Sequence, residues 1–178
     1  AISDISNKVY GTNYSQYNVV VLKSEVIIRQ ELVILSDIII LSKTGTATLK
    51  LADDYDNSKA MFVVGRKDGD VIAQGRLTIS GETNANIVIS QGTIKDRVES
   101  LIVVNPDSTL NITGNVTFEK ATVYSDNRGG VITSLGCVVA VADADSRIAR
   151  GVVNITGNGV IFSGNMSING GAIYVGEY

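Results

Sequence analysis

Residues Leu110–Phe118 (LNITGNVTF) return almost unchanged as Val153–Phe162 (VNITGNGVIF), and a Gly-Gly-apolar-Ile run follows each copy. The block Asn111-Ile-Thr-Gly-Asn115 aligns with Asn154-Ile-Thr-Gly-Asn158 at an offset of 154 − 111 = 43, with Gly159 as a one-residue insertion, and Leu77-Thr-Ile-Ser-Gly81 is a weaker third copy. A short strand unit of this kind cannot bury its apolar face alone. It gains stability by stacking on its neighbours, so repetition constrains the fold before any single residue does.

Alternation within the unit sets the faces. Leu110 and Ile112, like Val153 and Ile155, are expected inward, leaving Asn111, Thr113, Asn154 and Thr156 towards water. Gly114 and Gly157 fall where the chain must bend, in cramped or left-handed backbone. Short Val/Ile/Leu-rich runs bounded by Gly and Asn recur from Val19 to Val175, and Asp68-Gly69 is the clearest two-residue hairpin signal. Three short strands per unit suit a parallel arrangement in which each residue pairs with its equivalent in the next. On that reading the 43-residue offset is about two units of roughly twenty residues. The fold class is therefore all-β, with a parallel, stacked core over residues 18–178. Residues 1–17, polar and carrying Tyr10, Tyr14 and Tyr17, form an N-terminal cap or extension. These tyrosines are expected to pack the cap or to make an assembly contact. Residues 140–150 (AVADADSRIAR) carry no repeat signal and read as an outward loop.

The last unit contains Phe162-Ser-Gly-Asn165 followed by Gly170-Gly-Ala-Ile173. An earlier copy, Tyr124-Ser-Asp-Asn127 with Gly129-Gly-Val-Ile132, has Tyr for Phe and Val for Ala. Over roughly residues 108–178 the chain resembles right-handed parallel β-helix surface proteins. It is most similar to adhesin-like β-helix repeats and to the passenger domains of polymorphic outer-membrane proteins, whose paired signature is Phe-x-x-Asn followed by Gly-Gly-Ala-Ile/Leu/Val. The resemblance implies a right-handed β-helix, an extracellular or cell-surface location and contact with host or environmental surfaces, and it makes the motif residues structural. The Gly129-Gly130 and Gly170-Gly171 pairs let one turn of chain lie close over the next, and Asn127 and Asn165 are expected to ladder their amides between units or to sit in solvated turns.

Chemistry is mostly excluded. The chain has no His, which removes His-based triads, His-ligated metals and His general bases. Net charge is −3, and basic residues form no block longer than two, so nucleic acid is not the expected partner. The most apolar run, Val33–Leu41, is broken by Ser36 and Asp37 and is shorter than the ~20 residues of a spanning helix. Cys137 stands alone in an apolar run and reads as a small buried hydrophobe. Asp53, Asp54 and Asp56, Asp68 and Asp70, and Asp143 and Asp145 have spacings compatible with calcium, but none completes a calcium loop, and neighbouring Lys and Arg explain them as balanced polar turns. Five Asn-x-Ser/Thr triplets, at Asn13, Asn111, Asn115, Asn154 and Asn165, matter only where a host glycosylates. The chain starts at Ala1, which leaves open a processed form or an excised piece.

The sequence thus favours a non-enzymatic extracellular binding module with no cofactor, contacting a protein or carbohydrate through its Asn/Thr face and outward loops. Two alternatives stand beside it. One is a self-assembling filament or surface-layer subunit, using end-to-end stacking or strand donation from residues 1–17. The other is a polysaccharide lyase, hydrolase or tailspike-like protein with paired carboxylates in a groove.

Overall fold

The structure is a computed structural model that describes residues 18–68, 71–125, 128–141 and 144–177, with side chains left out at 136–148 and 177. The expected cap over 1–17 with Tyr10, Tyr14 and Tyr17, together with Asn127, Asp70 and Asp143, lies outside the described residues. The described residues contain strands and turns and no helix. They run in five tiers. The first is β1 (Asn18–Leu22), β2 (Glu25–Ile28) and β3 (Leu32–Ile34); the second is β4 (Asp37–Ser42), β5 (Gly45–Leu51) and β6 (Phe62–Val64). A hairpin, β7 (Arg66–Asp68) and β8 (Val71–Ala73), precedes the third tier of β9 (Arg76–Gly81), β10 (Ala85–Ser90) and β11 (Ile102–Val104). The fourth holds β12 (Thr109–Glu119), β13 (Thr122–Val123) and β14 (Ile132–Val141). After β15 (Ala144–Arg150), the fifth holds β16 (Val152–Ile155), β17 (Gly159–Ser163), β18 (Met166–Ser167) and β19 (Ile173–Glu177).

Among the described residues the strands of each tier pair in parallel with their equivalents in the adjacent tier, and the antiparallel pairs are β7–β8 and β14–β15. Three long ladders result, beside a short one of β13 and β18. The first runs β1-β4-β9-β12-β16, the second β2-β5-β10-β12-β17 and the third β3-β6-β11-β14-β19. Like stacks on like in register. Val20, Ile40, Ile79, Ile112 and Ile155 form one interior column. Val26, Leu49, Ile89, Phe118 and Phe162 form a second, and Leu32, Phe62, Ile102, Ile132 and Ile173 a third. Where these columns cross the middle tiers they are fully buried and merge into one core. Period-two alternation explains this: one residue in two faces the shared interior, and each column repeats the same apolar choice.

The repeat step differs from the expected one. Asn111 pairs directly with Asn154, so the 43-residue offset is one tier rather than two units. The chain length per tier varies at two corners: residues 29–31 alone link β2 to β3 where residues 52–61 link β5 to β6, and further insertions enter between the third ladder and the first. Between the third ladder and the first, that corner consists of two stacked positions, Leu35, Gly65, Asn105 and Leu135 in one and Ser36, Gly75, Ser108 and Gly151 in the other. Backbone bonds from Gly65 N to Ile34 O (2.8 Å), Arg76 N to Ser36 O (3.2 Å), Thr109 N to Gly75 O (2.9 Å) and Val152 N to Ser108 O (2.8 Å) hold them. Nothing separates Leu35 from Ser36, while residues 66–74, 106–107 and 136–150 are inserted above. The necks stay shut: Gly151 N donates to Leu135 O at 2.7 Å. The segment read as an outward loop is the end of β14 with β15, a hairpin whose register shifts near Val139.

The two matched blocks also align slightly differently in space. Asn115 pairs with Gly159, not Asn158, so the extra residue enters before the second ladder resumes. Furthermore, Leu110–Ile112 and Val116–Phe118 are not separate strands but the two halves of β12, which bends at Gly114 (φ +68°) and serves two ladders.

Candidate functional site

The outer face of the first ladder is the surface on which the repeated polar residues meet. Thr78, Asn111 and Asn154 stand in one column, as the alternation required. Asn154 Nδ2 donates to Asn111 Oδ1 at 2.9 Å, and Asn111 Nδ2 donates to Thr78 Oγ1 at 3.3 Å. These bonds tie three tiers and fix the amide orientations. Beside them Ser80 pairs with Thr113. Around the bend the second ladder continues the pattern: Asn86 Nδ2 donates to Thr117 Oγ1 at 3.3 Å, and Asn115 Nδ2 reaches the carbonyls of Glu82 (3.2 Å) and Ala85 (3.1 Å). Adjacent strands lie about 4.8 Å apart and same-face residues about 7 Å apart along each strand, so the face presents hydroxyls and amides on a shallow lattice. The exposed Ile161, at 53%, interrupts it in the fifth tier.

Both inserted hairpins rise from the corner that leads into this ladder. β7–β8 ends immediately before β9, and β15 immediately before β16, so they flank the start of the Thr78–Asn111–Asn154 column. Arg76 and Asp37, at that edge, form an exposed ion pair of 3.6 Å.

The remaining motif residues hold tiers together. Gly130 N donates to Gly171 O at 3.0 Å and Val131 N to Ala172 O at 2.9 Å, so the two Gly pairs, Gly129-Gly130 and Gly170-Gly171, lie one over the other. A Cβ on Gly130 would run into Gly171 O, and one on Gly157 into Gly114 O. Phe162 stacks on Phe118 with ring centroids 5.0 Å apart and 12° between planes. Among the described residues, Asn165 bonds to backbone groups of the tier below. Its Oδ1 accepts from Ala121 N and its Nδ2 donates to Phe118 O, both at 3.0 Å, as Asn side chains in turns do.

The aspartates diverge. Asp53 accepts from Thr93 Oγ1 at 2.5 Å, Asp54 pairs with Arg29 at 3.7 Å, and Asp56 accepts from Ser58 N (2.9 Å) and Oγ (2.7 Å). The Ser58 bonds hold the Asp56 carboxyl below the usual carboxylate range. Asp68 ends β7, and Asp145 is in β15 with its side chain, like that of Cys137, outside the description. Among the described residues no three Cys, Asp or Glu side chains converge as a metal site would require, and no helix is long and apolar enough to cross a membrane.

Sequence reading missed the corner around Arg97. Its guanidinium is fully buried, and its Nη2 donates to the carbonyls of Lys59 (2.7 Å), Glu99 (3.0 Å) and Ser100 (3.3 Å). It lies 5.9 Å from the ring centre of Tyr55, whose hydroxyl donates to Ala60 O at 2.5 Å. Burial first, then the Glu31 charge, push the Tyr55 hydroxyl up to about 12. Lys95-Asp-Arg-Val-Glu-Ser100 looks like a solvated loop, and no residue in it repeats elsewhere, so periodicity could not flag it. No protein family, curated protein or solved structure matches the chain.

Proposed function

We propose that this chain is a right-handed parallel β-helix acting as a non-enzymatic binding module, displayed extracellularly or on a cell surface. It holds a carbohydrate or protein partner across the outer face of the first ladder and the hairpins beside it. The observation that carries the reading is the coincidence of two features at one edge: the hydrogen-bonded Thr78–Asn111–Asn154 column and the corner that collects the inserted hairpins. In stacked repeats, insertions confined to one face commonly build the contact surface, because the scaffold stays intact while loops vary. A rigid strand face also loses little side-chain freedom on binding, and a lattice of hydroxyls and amides complements a polymer of repeating polar units.

The test is a binding screen of the purified chain against insoluble polysaccharides and extracellular-matrix proteins. The double variant Asn111→Leu with Asn154→Leu should weaken the best ligand at least about tenfold, as expected for two lost polar contacts, with the melting temperature little changed. Unaltered binding removes the face from the reading. Cleavage of a polysaccharide, lost on Asp143→Asn with Asp145→Asn, replaces it with the lyase or hydrolase alternative.

A second reading, end-to-end self-association, is favoured by exposure in the fifth tier. Ile155 continues a buried column yet is 40% exposed, and Val175 is 77% exposed. Light scattering should then detect large species that Ile155→Lys dissolves, whereas a monodisperse monomer at every concentration counts against it.

A further inference from the structure

The outer face of the first ladder changes character from tier to tier. In the first two tiers its two outward columns carry Val19 and Ile39 in one and Val21 and Leu41 in the other. In the third to fifth tiers the same columns become Thr78, Asn111 and Asn154, and Ser80, Thr113 and Thr156. None of these six side chains is buried. The polar strip is therefore two columns wide and three tiers long, and it stops where the apolar positions begin. No charge stands in it. At the start of the same strands Arg76 is neutralised by Asp37 at 3.6 Å, so the face draws neither an anionic nor a cationic polymer. The strip holds no aromatic ring either, which leaves hydrogen bonding as its means of recognition.

The direction of the existing bonds defines what is left to recognise. Asn154 Nδ2 donates to Asn111 Oδ1, and Asn111 Nδ2 donates to Thr78 Oγ1, so the first column is a one-way chain. Each amide keeps a second N–H, Asn154 keeps its Oδ1, and the Thr78 hydroxyl keeps its hydrogen. Donors and acceptors stand together in fixed orientation, which suits a hydroxyl because it both donates and accepts. A carboxylate or an ammonium satisfies only half of them. The strip also repeats at the strand spacing of about 4.8 Å, with about 7 Å between its columns.

We propose that the partner of this face is a neutral, extended β-1,4-linked polysaccharide, running across the strands from the third tier to the fifth with one sugar over each tier. The proposal rests on the reading of the first ladder as the binding face and narrows its ligand. An equatorially linked pyranose chain is a flat ribbon that advances by close to one strand spacing per sugar and carries hydroxyls along both edges, one edge for each column. An α-1,4-linked chain coils and leaves this register after a single sugar. Each sugar makes only weak hydrogen-bonded contacts, so affinity accumulates over three consecutive units and then levels off.

Isothermal titration of the full chain with cellohexaose, mannohexaose and maltohexaose tests this. The two β-1,4-linked hexaoses should bind at least about tenfold more tightly than α-1,4-linked maltohexaose, as expected when sugars fall out of register. Affinity should climb from cellobiose to cellotriose and change little beyond it, and it should be the same at low and high salt because no ion pair is involved. Asn111→Leu with Asn154→Leu, and separately Thr113→Val with Thr156→Val, should each weaken cellohexaose binding with the melting temperature little changed. Thr48→Val, on the second ladder, should leave it intact. Equal affinity for cellohexaose and maltohexaose, a steep salt dependence, or cellohexaose binding that survives both double variants overturns the proposal. A protein or an α-linked glycan that binds through Asn111 and Asn154, with neither β-linked hexaose bound, overturns it while leaving the face as the binding surface. If no ligand responds to those two residues, the face and the proposal fall together.

Discussion

At the scale of single residues, backbone geometry and not side-chain chemistry sets the firmest demands. Gly114 bends β12 with φ +68°, and a Cβ there would also strike Gly81 O. Gly45 has a similar φ of +65° but open space where its Cβ would point. The two positions separate strain from crowding. Gly45→Ala should cost only the left-handed penalty of about 1–2 kcal/mol, whereas Gly114→Ala should cost more than about 3 kcal/mol because a fixed backbone carbonyl cannot move aside. Urea unfolding of both variants measures the difference, and equal losses would contradict the crowding argument. Tyr55 gives a pH signature. Its folded pKa is raised to about 12 from 10.0, so its contribution is complete below pH 10 and disappears as pH rises towards 12. Stability should therefore fall over that window, and Tyr55→Phe should flatten this part of the profile while losing the bond to Ala60. At this scale the sequence disclosed Asn111 and Asn154 facing outward, because alternation needs no knowledge of neighbours. It hid the role of Asn165 and the burial of Arg97, since both depend on what the adjacent tiers place beside them.

At the scale of elements, strand existence was legible and tier length was not. Alternating apolar residues mark β4, β5, β9, β10 and β12 directly, but the insertions at the corner after β6, β11 and the paired part of β14 stretch the period differently each time. Tier spacing is therefore unequal, and the 43-residue step is one tier rather than two units of roughly twenty residues. The corner positions themselves make a test. In the first tier Leu35 joins Ser36 with nothing between, and in the second Gly65 already lies against Gly75, where a Cβ on Gly75 would be 2.7 Å from Gly65 N. Deleting residues 66–74 should rejoin Gly65 to Gly75 as the same two-residue corner. The expected change in stability is within about 1 kcal/mol, since surface insertions contribute mainly loop entropy, and far-ultraviolet circular dichroism should keep its strand character. Loss of cooperative unfolding would show that β7–β8 is a structural part of the stack. If the outer face is the binding surface, the same deletion weakens ligand binding without that loss.

At the scale of the whole molecule, the described strands pair in parallel with their neighbours in register, and for such an arrangement stability is expected to be a sum of neighbouring interfaces. The repeat in the sequence pointed to parallel strand pairing, whereas it gave no sign of how burial is distributed along the chain. Ile79, Ile87, Ile89 and Ile102 in the third tier are completely buried, while Val153, Val160, Phe162 and Ile173 in the fifth are only partly covered. Ile79 and Ile155 occupy the same interior column and differ chiefly in what lies over them. Ile79→Ala opens a cavity between two tiers and should cost about 3–4 kcal/mol. Ile155→Ala removes a side chain already 40% exposed and should cost less than about 1.5 kcal/mol. Native-state hydrogen exchange should show the same gradient, with the slowest amides in β9, β10 and β11 and early opening of β16, β17 and β19. Because adjacent interfaces couple, Ile79→Ala should also speed exchange in β4 and β12, its ladder neighbours, before β16. Uniform exchange across all tiers, or equal losses from the two alanines, would mean that the chain unfolds as one indivisible core and that the stacking account of its stability is wrong.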